Sequence, residues 1–434
     1  MKAVANFLVI LITIFLIPQA LANGVLRNGI GSKSIGLAGS DLVFADNGLS
    51  AMNSNPAALT KLKGGNLVLS GTVATLDAEY SNGGSSVNAD SSPGFIPDFA
   101  YTREFNNRIT VGLSVVPIST LDADWDFLDP ADGNGTSFGN TRHKSSYIVV
   151  RSAVGAGYKI NDRLSVGASI GLLYNRNRLK SPYTFQSHPV LSTLGGGAKV
   201  TADLETDGFG VNGVFSLNYQ ATNSVLFSLS YTTPSSFDTE GDIKGTLPLG
   251  LGFYSYDAEV ETELPQMIQA GINWQARPNL RLGFQMDWID WSDAFDDLPI
   301  RFRNGTNPVL QTLLGGSSFN DTTPLNWDDS FVFHFGTEYK YSSSTTLRFG
   351  YSYGENPVPA TTATPMSAAI MESTLALGAG FDTTGYLIDV GYAWDLPTDI
   401  NINNSQLVGG AKYNGGNVDV SIHWFSVSLS FKNL

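Results

Sequence analysis

The sequence contains no cysteine, and only 15% of its 434 residues are charged. Without cysteine the chain forms no disulfide, so burial and hydrogen bonding must stabilise it. Basic residues are scarce, with 25 Lys and Arg against 39 Asp and Glu and a formal net charge of −14. Because nucleic-acid binding needs clustered Lys and Arg, this balance argues against a nucleic-acid partner.

Long apolar runs are absent except at the start of the chain. Lys2 precedes small and apolar residues up to Ile17, Pro18 ends the run, and Ala20-Leu21-Ala22 fits the small-x-small rule of signal peptidase. We predict that residues 1–22 are a signal peptide and that the mature chain begins at Asn23. The alternative, a membrane anchor, needs about 20 apolar residues, which exceeds this run.

Alternation of apolar with polar residues dominates the rest of the chain. In residues 280–288, Leu280, Leu282, Phe284 and Met286 alternate with Arg, Gly, Gln and Asp. This period of two is typical of strands with one apolar and one polar face. Fourteen strands are predicted, at 64–81, 94–104, 108–126, 142–159, 163–180, 205–220, 223–240, 257–276, 279–296, 328–341, 344–355, 371–382, 385–397 and 418–431.

The connections between these strands are short and long in strict alternation. Outer-membrane barrels have this pattern, with tight periplasmic turns, long external loops and an even number of strands. The six short connections lie at 104–107, 159–162, 220–223, 277–279, 341–344 and 382–384. The seven long ones lie at 82–93, 127–141, 181–204, 241–256, 297–327, 356–370 and 398–417. The sequence therefore predicts a barrel in the bacterial outer membrane.

The two faces of the strands predict which side meets lipid. Every backbone group must pair internally within hydrocarbon, so the sheet must close and its apolar face must point outward. The polar face then lines the lumen, where we expect the charges to pair with one another or with a plug. The charged lumenal residues are Arg151, Arg281, Asp287, His334, Glu338, Arg348 and Asp389.

Residues 23–63 lack the strand pattern and are rich in glycine, serine and asparagine. About 40 residues without strand character before a barrel suggest a plug, because so long an irregular segment needs a place to pack. The alternative is a loose periplasmic tail. The predicted fold is an all-β membrane protein, a 14-stranded antiparallel transmembrane β-barrel over residues 64–434, with residues 23–63 as an N-terminal hatch inside it.

Several short runs, in order along the mature chain, carry a resemblance to one known family. In the predicted hatch they are Gly36-Leu37-Ala38-Gly39, Ala45-Asp46 and Asn53-Ser54-Asn55-Pro56-Ala57-Ala58-Leu59, which contains an Asn-Pro-Ala signature. Later they are Phe95-Ile96-Pro97-Asp98, Leu264-Pro265-Gln266-Met267, Trp288-Ile289-Asp290-Trp291-Ser292 and residues 347–359, which end in Glu355-Asn356-Pro357-Val358-Pro359. In these runs the chain resembles the FadL family of outer-membrane transporters for long-chain fatty acids and other hydrophobic compounds.

The resemblance implies passive uptake of a hydrophobic ligand. The ligand would land on an apolar groove between two outer loops, enter a lumenal pocket beside the hatch and leave sideways through a break in the third strand. Pro117 lies in that strand, and proline cannot donate to a ladder, so a gap or a bulge is expected there. Asn55, Pro56 and Ala57 would shape a turn of the hatch. The candidate groove residues are Phe185, Val190, Leu191, Leu194, Leu247, Leu249, Leu251 and Phe253.

Exposed apolar residues in loops mark binding surfaces, although packing between the loops explains these residues equally well. The transported molecule would be a fatty acid or an aromatic hydrocarbon. We expect a monomer whose other partners are outer-membrane lipid and the barrel assembly machinery. That machinery reads a terminal aromatic residue, and here the last aromatic is Phe431, followed by three other residues.

Two runs in this sequence match part of a catalytic or metal-binding motif, but neither meets the requirements of that motif. Gly167-Ala168-Ser169-Ile170-Gly171 matches a hydrolase elbow, but it continues through a strand, whereas the elbow needs a turn into a helix. The run from Asp122 to Asp126 begins like a calcium loop but lacks its glycine and its closing glutamate. We therefore predict no enzyme, no cofactor and no metal. A surface adhesin or receptor, or an outer-membrane lipid hydrolase, remain the alternative functions.

Overall fold

The computed structural model describes residues 24–432, except 91, 133–134, 195–196 and 367–368. The predicted signal peptide, residues 1–22, lies outside the described residues. Nineteen strands form one antiparallel sheet. They are β1 (Gly65–Asn82), β2 (Ser85–Asn88), β3 (Gly94–Asn106), β4 (Ile109–Leu128), β5 (Asn140–Lys159), β6 (Leu164–Thr184), β7 (Lys199–Gln220), β8 (Val225–Thr232), β9 (Ser235–Thr246), β10 (Phe253–Leu264), β11 (Met267–Arg277), β12 (Leu280–Ile289), β13 (Asp297–Arg303), β14 (Phe319–Pro324), β15 (Ser330–Lys340), β16 (Thr345–Gly354), β17 (Ser373–Asp382), β18 (Tyr386–Asn401) and β19 (Asn417–Lys432).

The sheet closes into a barrel because β1 pairs with β19, from Asn66 opposite Lys432 to Ser81 opposite Asn417. Fourteen crossings make the wall, which confirms the predicted strand number. Two crossings, β8 with β9 and β10 with β11, are interrupted beside Pro234 and Pro265, since proline has no amide hydrogen for the ladder. The remaining strands β2, β13 and β14 belong to the long connections.

The external ends of several strands extend further than the sequence indicated. The predicted loop 241–256 is mostly strand, since β9 runs to Thr246 and β10 begins at Phe253. On these two strands Ile243, Tyr254 and Tyr256 are buried. The residues between them are charged or polar, because the external ends of these strands lie in water above the membrane. Without an apolar outward face, this segment has the composition of a polar loop in the sequence.

The wall is apolar outside and polar inside. On β7, Phe209, Val211 and Phe215 are exposed, whereas Asn212 and Ser216 are buried. Side chains alternate between faces along a strand, so the exposed apolar set faces lipid. No helix among the described residues is long and apolar enough to cross a membrane. Phe431 lies in the closing strand β19, opposite Leu67 and Tyr386.

Residues 24–62 lie inside the barrel. Two short helices, Ser32–Ile35 and Gly48–Asn53, precede a 3-10 helix at Pro56–Lys61. The short helices of the connections are Pro248–Gly250, Trp291–Ala294, Pro308–Leu314 and Gly410–Tyr413. Inside the barrel, Ile35, Leu37, Leu42, Phe44 and Leu49 are at most 2% exposed, so this segment fills the lumen as a packed plug.

An ion-pair network joins the plug to the wall. The Lys33 ammonium pairs with Asp46 and lies 3.0 Å from Glu338 Oε1, and Arg281 contacts the same two carboxylates. Arg348 extends this ion-pair network, since its guanidinium lies 2.8 Å from Glu338 and 2.6 Å from Asp389. Three cations thus meet three carboxylates. Six of the seven lumenal charges predicted from the sequence pair with one another or with residues of the plug, and the exception is Arg151.

Candidate functional site

The ladder between β3 and β4 stops halfway along the wall. The two strands pair from Asn106 opposite Ile109 up to Phe99 opposite Val115. Beyond this point, Gly94–Asp98 pair only with β1, and β4 pairs only with β5. Pro117 lies two residues beyond the last β3–β4 pair, next to a bulge between Pro117 and Ser119. The proline singled out in the sequence therefore marks the start of an interrupted seam, which we call the β3–β4 gap.

The start of the plug crosses this gap. Leu26 forms a bridge with Ser119, and the Arg27 amide donates to Ile118 O at 3.1 Å. The Ser119 hydroxyl donates to Val25 O at 2.7 Å. Residues 25–27 thus occupy part of the place that β3 has left, and they hold on to β4 through a few hydrogen bonds.

Arg27 connects the two unpaired edges. Its guanidinium lies 2.7 Å from Asp98 Oδ1 on β3 and donates to Pro117 O on β4 at 2.8 Å. The side chains of Arg27 and Asp98 are at most 1% exposed. At the outer end of the gap, the Asp90 amide donates to Asp124 O at 2.7 Å. The gap is therefore bounded at its inner end by an ion pair and at its outer end by a single backbone hydrogen bond.

A cavity of about 310 Å³ lies between the external loops and the plug, with Val25 in its lining. We call it the upper cavity. Its apolar walls include Tyr147, Leu179, Leu298 and Phe295. Such a mostly apolar concave space is typical of sites for small hydrophobic ligands.

The upper cavity also contains a cation, Lys412. Burial, together with the neighbouring Lys199 ammonium, lowers the pKa of Lys412 to about 8, although Asp129 and Asp132 act in the opposite direction. Lys199 itself pairs with Asp129 at 2.5 Å. Lys412 is therefore charged at neutral pH, but its charged form is disfavoured by its surroundings.

A second space of about 120 Å³, the lower cavity, lies between the plug and the wall. It is lined by Leu26, Ile118, Leu264 and Arg151, and also by polar residues of the plug. Leu26 and Ile118 pack against Val149, Leu173 and Leu264, which form an apolar cluster. Val25 and Leu26 border the upper and the lower cavity respectively, and both belong to the segment that crosses the gap.

Arg151 stands out in the lower cavity because it has no carboxylate partner. Among the Lys and Arg side chains that are buried in the described part of the chain, Arg27, Lys33, Lys199 and Arg348 each form an ion pair. Arg151 is 2% exposed, and its guanidinium donates only to neutral acceptors. These are Asn212 Oδ1 at 2.8 Å, Ser169 Oγ at 2.9 Å, Asn53 Oδ1 at 3.0 Å and Met52 O at 3.4 Å.

Arg151 lies at the same level of the wall as the β3–β4 gap. It stands opposite Val116 in the β4–β5 ladder, one residue from the pair that contains Pro117. A buried cation with no counterion is costly unless an anion visits it. The arrangement can therefore hold the anionic head of a mainly apolar molecule at the level of the gap.

The candidate groove residues separate into two groups. Phe185, Leu191 and Leu247 are buried in a core between the loops, where Tyr254, Tyr256, Phe302 and Phe319 surround them. The other five, Val190, Leu194, Leu249, Leu251 and Phe253, are exposed, with Leu249 93% and Phe253 81% exposed. Packing accounts for the first group, and the second forms an apolar external surface.

The Asn-Pro-Ala run anchors the plug. The Asn55 side-chain amide donates to Leu42 O at 2.8 Å and to Asn218 Oδ1 at 3.0 Å. The Ala57 backbone amide donates to Ser216 Oγ at 2.7 Å. Pro56 opens the 3-10 helix, a position where its missing amide hydrogen costs nothing. None of the three residues lines the upper cavity.

Metal and catalytic groups do not assemble into a site among the described residues. Asp238, Glu259 and Glu261 lie close enough together to hold a metal ion, but Arg301 already pairs with both glutamates. Ser169, the serine of the elbow-like motif, donates to Met52 O and accepts from Arg151. This serine is thus part of the cradle of Arg151.

Sequence reasoning did not identify Arg27 or Asp98 as a pair. They are 71 residues apart, and only the closed barrel brings them together. The one available signal was Asp98 at the end of the Phe95-Ile96-Pro97-Asp98 run. It placed a carboxylate within a strand but gave no indication of its partner.

Comparison with known proteins shows that the fold is shared with solved structures. No functionally curated protein matches the chain in sequence. Solved structures share its fold, among them a Pseudomonas aeruginosa FadL homologue at 16% identity and a TM-score of 0.75, covering 95% of this chain and 100% of that one. The toluene transporter TodX of P. putida is 21% identical with a TM-score of 0.77, covering 93% and 99%. The toluene transporter TbuX of Ralstonia pickettii is 19% identical with a TM-score of 0.73, also covering 93% and 99%.

A family model gives the stronger statement. The model for outer membrane protein transport proteins, described as OMPP1/FadL/TodX, matches residues 13–432, nearly the whole chain. The family consists of outer-membrane transport proteins, in agreement with the barrel. The chain belongs to the OMPP1/FadL/TodX family of outer-membrane transport proteins.

Proposed function

We propose that this barrel takes up hydrophobic small molecules passively and releases them sideways into the membrane through the β3–β4 gap. The observation that carries the proposal is the interrupted ladder beside Pro117, which residues 25–27 cross and which lies below an apolar cavity. A wall with a seam next to a ligand-sized space is suited to lateral release.

The first step is capture at the external surface. Leu249, Leu251 and Phe253 lie at the tip of the β9–β10 connection and are exposed. Val309 and Leu313, one helical turn apart, are exposed on the adjacent helix, whose Asn307 donates to Leu251 O and Phe253 O. Exposed apolar patches of this kind mark binding surfaces.

Transfer from this surface to the upper cavity needs no energy source. Removing apolar surface from water contributes about 25 cal/mol per Å², so a hydrophobic ligand moves spontaneously into each apolar space. Residues 25–27 must then move away from β4, which requires breaking the hydrogen bonds of Arg27 and Ser119. Beyond them lies lipid, which is the most favourable environment for the ligand.

The unpaired Arg151 supports a ligand class within this function, an apolar molecule that carries a carboxylate, such as a long-chain fatty acid. A pure hydrocarbon would leave the buried guanidinium without a counterion. A carboxylate would compensate its charge, and charge-assisted hydrogen bonds of this kind are the strong ones. The apolar tail would remain beside Leu26, Ile118 and Leu264.

The test compares uptake of labelled oleate and labelled toluene by cells that lack their own transporter and express this chain. Uptake of either ligand above that of cells without the chain supports the proposed function. In Arg151→Gln, oleate uptake should fall about tenfold or more, because one lost charged hydrogen bond is worth roughly 1.5–3 kcal/mol, while toluene uptake should be unchanged. Arg163→Gln, at an exposed turn, is the matched control.

The outcomes separate function from ligand class. Equal loss of both ligands in Arg151→Gln would mean that this residue supports the structure of the pore and does not select carboxylates. Failure of the wild-type chain to take up either ligand, with the barrel correctly inserted, would reject the transport of such molecules.

A further inference from the structure

Strands β5 and β6 carry seven Lys and Arg residues and no Asp or Glu, although the whole chain has a net charge of −14. Five of the seven lie towards the external end of the two strands. These five form what we call the basic stripe, Arg142, Lys144, Arg176, Arg178 and Lys180.

The basic stripe faces outward, on the same side as the lipid-facing residues. Val154 on β5 stands opposite Ile170 on β6, and both are more than 60% exposed. Even-numbered residues continue this face along both strands, so all five cations share it. Ile148 stands opposite Arg176, and the next outward pairs are Ser146 with Arg178 and Lys144 with Lys180.

The stripe begins where the apolar band ends. Four residues separate Ile148 from Lys144, which is roughly 13 Å along a strand. The polar head-group layer of a bilayer is about 5–8 Å thick on each side of the hydrocarbon core, and a tilted strand rises less than its length. A strand tilted by 35–45° rises about 9–11 Å over this distance. Arg176 and Arg178 therefore lie within the head-group layer of the outer leaflet, and Lys144 and Lys180 lie at its outer edge.

Lys144 and Lys180 stand directly opposite each other, an arrangement that destabilises a sheet. Their ammonium groups turn away to the edges of the stripe. Lys144 lies 2.9 Å from Asp122 and 3.1 Å from Asp124 on β4, and Lys180 lies 3.4 Å from Asp203 on β7.

The centre of the stripe is correspondingly less well compensated. Arg178 is 3.9 Å from Asp203, and its Nε is buried without a hydrogen-bond partner. The carboxylates that contact the stripe all lie on the neighbouring strands β4 and β7. The middle of the β5–β6 surface therefore offers cations and a hydroxyl, Ser146, to an external anion.

We propose that the basic stripe binds the phosphate of a lipid head group in the outer leaflet, between Lys144, Lys180 and Arg178. Phosphate is the anion that Arg and Lys recognise best, by charge and by several hydrogen bonds. The stripe faces the membrane at head-group height, so the phosphate comes from a lipid. The site lies on the outward face of β5 and β6.

The experiment measures lipid binding to the purified full chain in dodecyl maltoside micelles by native mass spectrometry. The probes are diphosphoryl lipid A and its dephosphorylated form. Wild-type protein should retain the phosphorylated lipid preferentially, and added salt should weaken this binding. Lys144→Gln with Lys180→Gln should weaken it on the order of tenfold, given the attraction of each basic residue to an anionic lipid surface.

A second variant predicts the opposite effect. Asp203→Asn removes the carboxylate that competes for Lys180 and Arg178, so binding of the phosphorylated lipid should strengthen several-fold. Arg301→Gln with Arg303→Gln is the matched control, because these arginines point outward from β13 and Arg301 is compensated by Glu259 and Glu261.

Two results would overturn the proposal. One is equal retention of phosphorylated and dephosphorylated lipid by the wild-type protein. The other is unchanged affinity in both the lysine variant and Asp203→Asn, which would show that any bound phosphate lies elsewhere on the barrel.

Discussion

At the scale of single residues, the buried Arg27–Asp98 pair controls the edges of the gap. Arg27→Met leaves the Asp98 carboxylate buried without its partner, which costs about 3–5 kcal/mol of stability. Arg27→Met with Asp98→Leu should recover much of that loss, because neither charge remains. The free energy of unfolding in urea, followed by tryptophan fluorescence, checks this order. Equal stability of the single and the double variant would show that the pair is not coupled.

Lys412 gives a prediction about pH. Its pKa in the folded protein is about 8, below the ordinary 10.5, mainly because of burial. Below pH 8 Lys412 is charged in both the folded and the unfolded state, and the buried charge lowers the free energy of unfolding. Between pH 8 and 10.5 only the unfolded state still binds the proton, so this destabilisation decreases as the pH rises. Lys412→Met should therefore stabilise the protein by roughly 1–3 kcal/mol at pH 7 and by much less at pH 10.

Thermal unfolding of Lys412→Met and wild-type protein at the two pH values measures this difference. A gain that is as large at pH 10 as at pH 7 would assign the effect to packing of the methionine and not to charge.

Individual residues differ in how far sequence could place them. The irregularity at Pro117 was predictable, because a proline within a strand always removes one hydrogen bond from the ladder. Arg151 was recognisable as lumenal from its strand phase. Its lack of a carboxylate partner was not, because Asn53, Ser169 and Asn212 come from three separate segments.

At the scale of elements, the 3-10 helix Pro56–Lys61 is seated on glycines of the wall. A Cβ at Gly167 would lie 2.2 Å from the carbonyl carbon of Pro56 and 2.3 Å from the Ala57 nitrogen, so the helix rests directly on β6. Gly167→Val should displace the helix and loosen the plug. We expect a several-fold higher ion conductance in planar bilayers, with the barrel still inserted.

Gly316→Val is the control for this prediction, since a Cβ there meets nothing within 4 Å. Unchanged conductance in Gly167→Val would show that the plug is held by its ion pairs alone, through Lys33, Asp46 and their partners on the wall.

Strands and loops were predicted with different success. Period-two alternation identifies β12 and β16 because lipid demands one apolar face over their whole length. The external parts of β9 and β10 are surrounded by water, so their outward residues are charged and the lipid signal disappears. The burial of Phe185, Leu191 and Leu247 was equally hidden, because a core formed between loops leaves no periodicity in any one of them.

At the scale of the whole molecule, closure of the barrel follows from the requirement that every backbone group in lipid be paired. That requirement makes an interrupted ladder conspicuous. The β3–β4 gap is the place where β4 exchanges a strand partner for residues 25–27 of the plug. The fold could be read from the sequence, whereas this exchange depends on a contact between the first residues of the plug and a distant strand.

The most direct test of lateral release is a lock across the gap. Leu26 and Ser119 are antiparallel bridge partners, at a Cα separation of about 4.5–5.5 Å that suits a disulfide. The chain has no cysteine of its own, so Leu26→Cys with Ser119→Cys introduces a single possible bond. Uptake of labelled oleate or toluene is measured in the oxidised variant and again after reduction. The account predicts that uptake is lost on oxidation and restored on reduction. Equal uptake in both states would contradict exit through the β3–β4 gap.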